Sequence, residues 1–321
     1  MEPASRRALR ADVAVVGTAN LDTVARVSRL PREGERVTGE VVAVTPGGKG
    51  ANQAVAAARL GARAALVACV GDDPAGERLL ASLGGEAGLS IVGVRSVAGP
   101  TGTAFVTVDA AGGSTIVSVG GANGALDEEH VHRNGLTIGG AAVLLTQLGV
   151  PRPAVRAALE IARSVGTTTV LDPCPADDLT DDPDDLLRLV DVCTPNATEI
   201  ERLTGIAVTD LDGARRAAHA LLARGCASVL LTLGARGAYL VSEAGADVHL
   251  DGVPAAVVDP TGAGDACCGA LAAALARGRS LADAAGQAVV AGSLATTRWG
   301  AMPSLPTRVA LDARVATLSA P

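Results

Sequence analysis

From Ala141 onward the chain alternates short apolar runs with helical patterns, a constraint that few folds satisfy. The segments fall at 141–148, 151–165, 168–172, 184–190, 191–194, 196–204, 210–224 and 227–233. Apolar strands separated by helices predict an α/β fold with a mainly parallel sheet covered on both faces. The first half carries the pattern less regularly, with strands at Asp12 to Gly17, Ala64 to Val70 and Ser90 to Ser96, and helices at Lys49 to Leu60 and Ala75 to Leu83. Residues 22–46 interrupt it, alternating weakly around Pro31, Gly34 and Gly39. Thr101 to Val108 and Ser114 to Val119 flank Asp109-Ala110-Ala111-Gly112-Gly113, a hairpin signal. Together these pieces predict a small separate sheet. No repeat or low-complexity linker divides the 321 residues, so one domain over 1–321 is expected, large enough to bury a substantial core. Phe105, Tyr239 and Trp299 are the only aromatics, so Val, Leu and Ala must build that core.

The net charge of −7 argues against a nucleic-acid surface. No apolar run reaches membrane-spanning length without a glycine or charge. Met1 to Arg10 is Arg-rich but lacks a leader-cleavage pattern, which makes the cytoplasm the expected location. Cysteines 69, 174, 193, 226, 267 and 268 show no C-x-x-C spacing, so neither a disulfide framework nor a zinc site is expected. The acidic stretch Asp177 to Asp185 reads as a loop with a helix start.

Several glycine-bearing or amide-bearing stretches carry candidate chemistry. Ala255 to Val258 reads as a strand, after which Asp259-Pro260-Thr261-Gly262-Ala263-Gly264-Asp265 opens an alanine-rich helix. The glycines permit close approach of backbone to ligand, and the helix start attracts an anion. Asp265 is then either a helix-start acid, with Thr261 or Asp259 as cap, or a base beside a migrating phosphoryl group. Gly47-Gly48-Lys49-Gly50-Ala51-Asn52-Gln53 holds the chain's one lysine. It is either a tight turn into a core helix or a cradle for a hydroxylated ligand. Asn20 and Asp22, two apart on an extended segment, suit vicinal hydroxyls or an Asx turn. Asn196 and Glu199 fit a capping box; they also fit a nucleotide phosphate and a hydrated Mg²⁺. Thr232-Leu233-Gly234-Ala235-Arg236-Gly237 is a hairpin turn or a phosphate-holding turn. In an open parallel sheet such loops gather at the carboxyl ends of strands.

With these motifs in hand, the chain from about Asp12 to Val309 resembles the ribokinases, of the PfkB family of sugar and nucleoside kinases. The two stretches that carry the resemblance are Gly47 through Gly71 and Asp259 through Ala270. It implies a three-layer α/β/α sandwich of ribokinase-like type with a nine-stranded central sheet. It also implies a β-lid from about 22–46 and 101–119, used to form a homodimer. Asp265 would be the base on a sugar 5-hydroxyl, with Gly262, Ala263 and Gly264 as anion hole. Asn20, Asp22, Gly48, Lys49, Gly50 and Asn52 would hold the sugar. Asn196, Glu199, Thr232, Leu233, Gly234, Ala235, Arg236, Gly237 and Gly264 would line the ATP–Mg²⁺ site. An activating K⁺ would lie among Asp259, Thr261, Ala295, Arg298, Gly300 and Ser304.

Two positions depart from the family's pattern. Gly149 follows Gln147-Leu148 where ribokinases usually carry a ribose-contacting glutamate, and Asp172 stands where they often carry asparagine. The leading reading is therefore an ATP-dependent ribose kinase, with a kinase for another furanose or a nucleoside as the alternative. Phe105 is the candidate wall for a base. A catalytically idle sugar-binding regulator is a third reading, opposed by the presence of Asp265, Gly264, Asn196 and Glu199. A dinucleotide-binding oxidoreductase fails, because Gly17-Thr18-Ala19-Asn20 is not a G-x-G-x-x-G fingerprint.

Overall fold

The computed structural model describes residues 11–109, 113–176 and 184–318. Met1 to Arg10, the turn residues 110–112 and most of the acidic stretch (177–183) lie outside the described residues.

Thirteen strands form two sheets among the described residues. In chain order they are β1 (Val13–Val16), β2 (Asn20–Val27), β3 (Gly39–Gly47), β4 (Ala64–Gly71), β5 (Leu89–Val97), β6 (Thr103–Val108), β7 (Ser114–Val119), β8 (Val143–Gln147), β9 (Thr168–Asp172), β10 (Val192–Cys193), β11 (Ser228–Thr232), β12 (Ala238–Ser242) and β13 (Asp247–Leu250). The longer helices are α1 (Lys49–Arg59), α2 (Pro74–Gly84), α3 (Arg152–Ser164), α4 (Ala197–Thr204), α5 (Leu211–Leu222), α6 (Ala263–Ala276), α7 (Leu281–Ala295) and α8 (Arg308–Leu318).

The large sheet runs β13-β12-β11-β10-β9-β8-β1-β4-β5 and is parallel from β5 to β11. β12 and β13 then turn back as antiparallel hairpins at one edge. β1 is fully buried and alternates cleanly between two cores. Val13 and Val15 pack into one core with residues of α1, α2, α6 and α7; Ala14 and Val16 pack into the other with α3, α4 and α5. That two-sided burial makes the three layers, as the apolar strand runs require. β4 lies on one flank of β1 and β8 on the other, so the chain reverses its direction of winding there. Ligand sites of open α/β sheets sit at the carboxyl ends of strands at such a reversal. Gly17 to Asn20, Gln147 and Asp172 occupy those ends.

β2, β3, β6 and β7 form the separate small sheet in the order β3-β2-β6-β7, with β2 and β6 parallel and both outer pairs antiparallel. Ala255 to Val258 departs from the strand expected there. It is irregular, with Val257 and Val258 largely exposed, and is fastened where Val258 N donates to Thr296 O at 2.7 Å. An apolar run with no neighbouring strand to pair with follows the end of α7 instead.

The near absence of aromatics is answered by close backbone packing. α6 is buried over most of its circumference and lies against α1. A Cβ on Gly269 would fall 2.4 Å from Ala56 Cβ and 2.9 Å from Gln53 O. Gly269→Val is therefore expected to cost about 2–3 kcal/mol of stability through overpacking. Gly286→Ala, which meets open space on α7, should stabilise by up to about 1 kcal/mol. Urea denaturation of both variants checks the contrast, and equal midpoints would refute it.

Candidate active site

Asp265 sits in the first turn of α6, buried, with Gly262 as the N-cap residue in left-handed geometry (φ 81°). A side chain on Gly262 would also strike Ala301, its Cβ 2.9 Å from Ala301 Cα. Neither Thr261 nor Asp259 caps the helix, the role they had in the alternative that made this stretch only a helix start. Asp259 instead ties two loops together, accepting from Thr261 N at 2.9 Å and Gly300 N at 2.8 Å. The early amides of α6 have no carbonyl one turn back within the helix, which leaves Gly264 and Asp265 backbone donors facing the turn.

Both Asp265 oxygens are held from α1. Asn52 Nδ2 donates to Oδ2 at 2.9 Å and Gln53 Nε2 to Oδ1 at 3.1 Å. The same Gln53 nitrogen donates to Asp172 Oδ2 at 2.7 Å, and Lys49 Nζ donates to that oxygen at 2.9 Å. Gln147 Nε2 donates to Gln53 Oε1 at 2.6 Å, and Gly17 leaves room for the Gln147 amide. Burial holds the Asp265 carboxyl above the usual range; Lys49 opposes this and Asp172 reinforces it. Burial works against the Lys49 charge, but Asp172 and Asp265 outweigh it and keep the ammonium well above the lysine norm. Asn52 Oδ1 is buried without a hydrogen-bond partner, an acceptor available to a ligand hydroxyl.

A second group lies at the start of β2. Asn123 Oδ1 accepts from Ala19 N at 2.8 Å, which fixes its amide: Nδ2 must donate to Asn20 Oδ1 (2.8 Å) and Gly120 O (2.9 Å). Asn20 therefore turns its own NH₂ toward Asp22, with which it is hydrogen-bonded. Asp22 Oδ1 also accepts from Ala104 N at 2.7 Å. Glycine is required around this group. A Cβ on Gly47 would lie 1.9 Å from Asp22 Oδ2, and one on Gly102 would lie 2.5 Å from Asn20 Oδ1. Gly48 has φ 84°, and a Cβ on Gly50 would meet the backbone of Gly17 and Thr18 at 2.7 Å.

Asn196 and Glu199 form the reciprocal capping box of α4, each bond 2.9 Å. Burial raises the Glu199 carboxyl and Asp172 adds to this. Ligand atoms of Asp172, Cys174 and Glu199 lie within 4.8 Å of one another, which links this corner to Asp265 through Gln53. Beside it, Thr232 N donates to Pro195 O at 2.9 Å. Leu233 precedes the short turn Gly234–Arg236, which contains Ala235, and Gly237 (φ 88°) ends it. The Arg236 guanidinium donates to Thr209 O (3.1 Å) and Val208 O (3.2 Å). Of the expected cation ligands, Ala295 ends α7 and is buried, Ser304 is buried with its Oγ on Ala301 O (2.8 Å), and Arg298 is exposed.

Gln53, Gln147, Asp172 and Asn123 are central to this geometry; the sequence offered Gln53 only as the end of the glycine-rich stretch and Gln147 and Asp172 only at departures from the family's pattern, and gave Asn123 no role. Asn123 had one usable signal, an amide in the run Gly120-Gly121-Ala122-Asn123-Gly124 directly after β7.

Residues 10–308 match the pfkB family carbohydrate kinase profile. The chain belongs to the pfkB family of carbohydrate kinases. This pfkB-family chain is 38% identical to the ribokinase of Haemophilus influenzae over 94% of its own length and 97% of the relative's. It is 40% identical to the mouse ribokinase over 82% of its own length and 81% of the relative's. The structure of Arabidopsis thaliana ribokinase complexed with ribose and ATP superposes with a TM-score of 0.85 at 33% identity, covering 95% of this chain and 99% of that one.

In this pfkB-family site, burial pushes the Asp22 carboxyl up from 3.8 to about 6. The native state then binds that proton more tightly than the unfolded chain, so Asp22 erodes stability as pH rises through this window. The change in Tm produced by Asp22→Asn should thus be more favourable at about pH 7.5 than at about pH 4. Melting curves at both values test it, and an equal change at the two would contradict it.

Proposed function

We infer that the protein transfers the γ-phosphoryl group of ATP to the 5-hydroxyl of D-ribose, giving D-ribose 5-phosphate. Family membership and the ribokinase relatives support the reaction class. The observation that carries the reading is the buried Asp265 carboxylate, set at a helix start and within reach of the Asn20, Asp22, Lys49 and Asn52 side.

Asp265 takes the hydroxyl proton as the oxygen attacks phosphorus. A carboxyl held above its usual range by burial is a stronger base than an exposed aspartate. The amides around Gly262, Ala263, Gly264 and Asp265 face the charge that develops on the migrating group. Asn20, Asp22, Gly48, Lys49, Gly50 and Asn52 orient the sugar. Asn196, Thr232, Leu233, Gly234, Ala235 and Gly237 flank the nucleotide, and Arg236 contributes by bracing its loop against residues 208 and 209.

The donor set suits Mg²⁺, a hard cation usually held by one or two carboxylates together with substrate phosphates. Glu199, with Asp172 nearby, would serve it, and the ion would neutralise phosphate charge. K⁺ is assigned to the loops that Asp259 joins, with Thr261, Ala295, Arg298, Gly300 and Ser304 around it. A buried carboxylate beside loop carbonyls is the chemistry such an ion requires, and binding there would steady the turn before α6. The small sheet is assigned as a lid and as the contact of a homodimer. Val41, Ile116 and Val117 leave more than half their surface exposed on it. The six free cysteines accord with a reducing compartment, the cytoplasm, and no helix among the described residues is long and apolar enough to cross a membrane.

The position where ribokinases usually carry a ribose-contacting glutamate is packed against Thr18. A Cβ at Gly149 would lie 2.8 Å from Thr18 Cγ2, so the Thr18 methyl closes the space in which a longer residue at 149 would begin.

ADP release from MgATP with K⁺ should be fastest with D-ribose among ribose, 2-deoxyribose, fructose and a nucleoside panel. Asp265→Asn should cut that turnover by about 10²-fold or more. A poor rate with ribose and a good one with another sugar would move specificity to the Thr18–Gly149 contact. K⁺ should stimulate more than Na⁺ or no added monovalent ion. Identical rates in all three media would remove the K⁺ assignment.

A further inference from the structure

One amide nitrogen joins two buried carboxylates at this site. Gln53 Nε2 lies 2.7 Å from Asp172 Oδ2 and 3.1 Å from Asp265 Oδ1, spending one proton on each. Its orientation is forced, since a flipped amide would set Oε1 against both acids. Gln147 matches that choice from β8, donating Nε2 to Gln53 Oε1 while its own Oε1 stays buried without a partner. Asp172 and Gln147 are register neighbours on β9 and β8, so the sheet itself places both groups beneath α1. Asp172 Oδ2 also receives Lys49 Nζ at 2.9 Å. Asp172 therefore reaches the Asp265 carboxylate only through intermediaries.

We propose that Asp172 is a positioning residue for Asp265: through the Gln53 amide it fixes the base's Oδ1, and it holds the Lys49 ammonium and a second negative charge beside that carboxylate. The proposal rests on Asp265 acting as the base. The charged groups facing Asp265 are Lys49 from α1, Asp172 from β9 and Asp22 from β2; Asn52 and Gln53 are neutral. Burial lifts the Asp265 carboxyl, Lys49 pulls it down, and Asp172 pushes it up again. Removing the Asp172 charge takes away the upward push and frees Lys49 to act on Asp265 alone. Both changes lower the carboxyl. Removing the Gln53 donor has the opposite sign, because it deletes a bond that favours the ionised form.

The test is the side-chain carboxyl titration of Asp265 in the ligand-free full chain, followed by NMR with ¹³C-labelled aspartate. The signal is assigned by its loss in Asp265→Asn, which separates it from Asp22. Asp172→Asn, close to isosteric, should lower the Asp265 midpoint by about one pH unit. Gln53→Met should raise it. A general structural disturbance does not produce shifts of opposite sign, and if Gln53→Met fails to fold, Asp172→Asn decides alone. A midpoint that is unmoved or raised in Asp172→Asn overturns the proposal. Turnover of Asp265→Asn is measured alongside. Near-normal turnover removes the base and this proposal with it, whereas lost turnover with an unmoved midpoint removes this proposal alone.

Discussion

The close contact of α1 with α6 is the constraint on which the site depends. Gly269 lets the two helices approach until Ala56 and the Gln53 carbonyl fill the space a side chain would need. At that separation Asn52 and Gln53, one turn into α1, reach both oxygens of Asp265, one turn into α6. Asparagine and glutamine are short and stiff compared with lysine or arginine, so a shift of even an ångström would break both bonds. The alanine-rich composition thus has a positional consequence. Small side chains bring helix backbones close enough for short polar groups to meet.

Much of the architecture was legible in the sequence, and the reason is periodicity. Ala64 to Val70 is a fully apolar run bounded by turn residues, and β4 falls on it with Gly71 added. The run Ala255 to Val258 looks the same locally, but a strand also needs a neighbour, and no local pattern reports whether one exists. The start of α6 shows the same limit. Thr261 and Asp259 have cap chemistry, yet Asp259 is drawn to Gly300, which lies 41 residues away.

The candidate site was legible at several glycines and obscure at three of the amides that build it. Gly47, Gly48, Gly50 and Gly262 signal close approach in the chain itself. Gln53, Gln147 and Asn123 do their work through partners 94 to 212 residues distant. Asp172 was visible only as a departure from a family pattern, and its role follows from Gln53 and Lys49 meeting on one oxygen. Asn196 and Glu199 satisfy the capping reading in full, and the same capping bond turns the Glu199 carboxylate toward Asp172 and Cys174.

In its proposed role as a lid, the small sheet has a consequence for the shape of the pocket. Asn20 begins β2, Gly47 ends β3, and Gly102 immediately precedes β6. All three meet at the Asn20–Asp22 group, and Ala104 of β6 donates to Asp22 itself. The edge of the small sheet and the Asn20–Asp22 group are therefore one piece of chain. A rigid flap over a finished pocket would leave the pocket's shape unchanged on opening. Here, Asp22 and its donor Ala104 lie on neighbouring strands of that sheet, so in the proposed lid role a displacement would carry both together away from Asp265, and the place for a hydroxylated guest would be complete only with the sheet down.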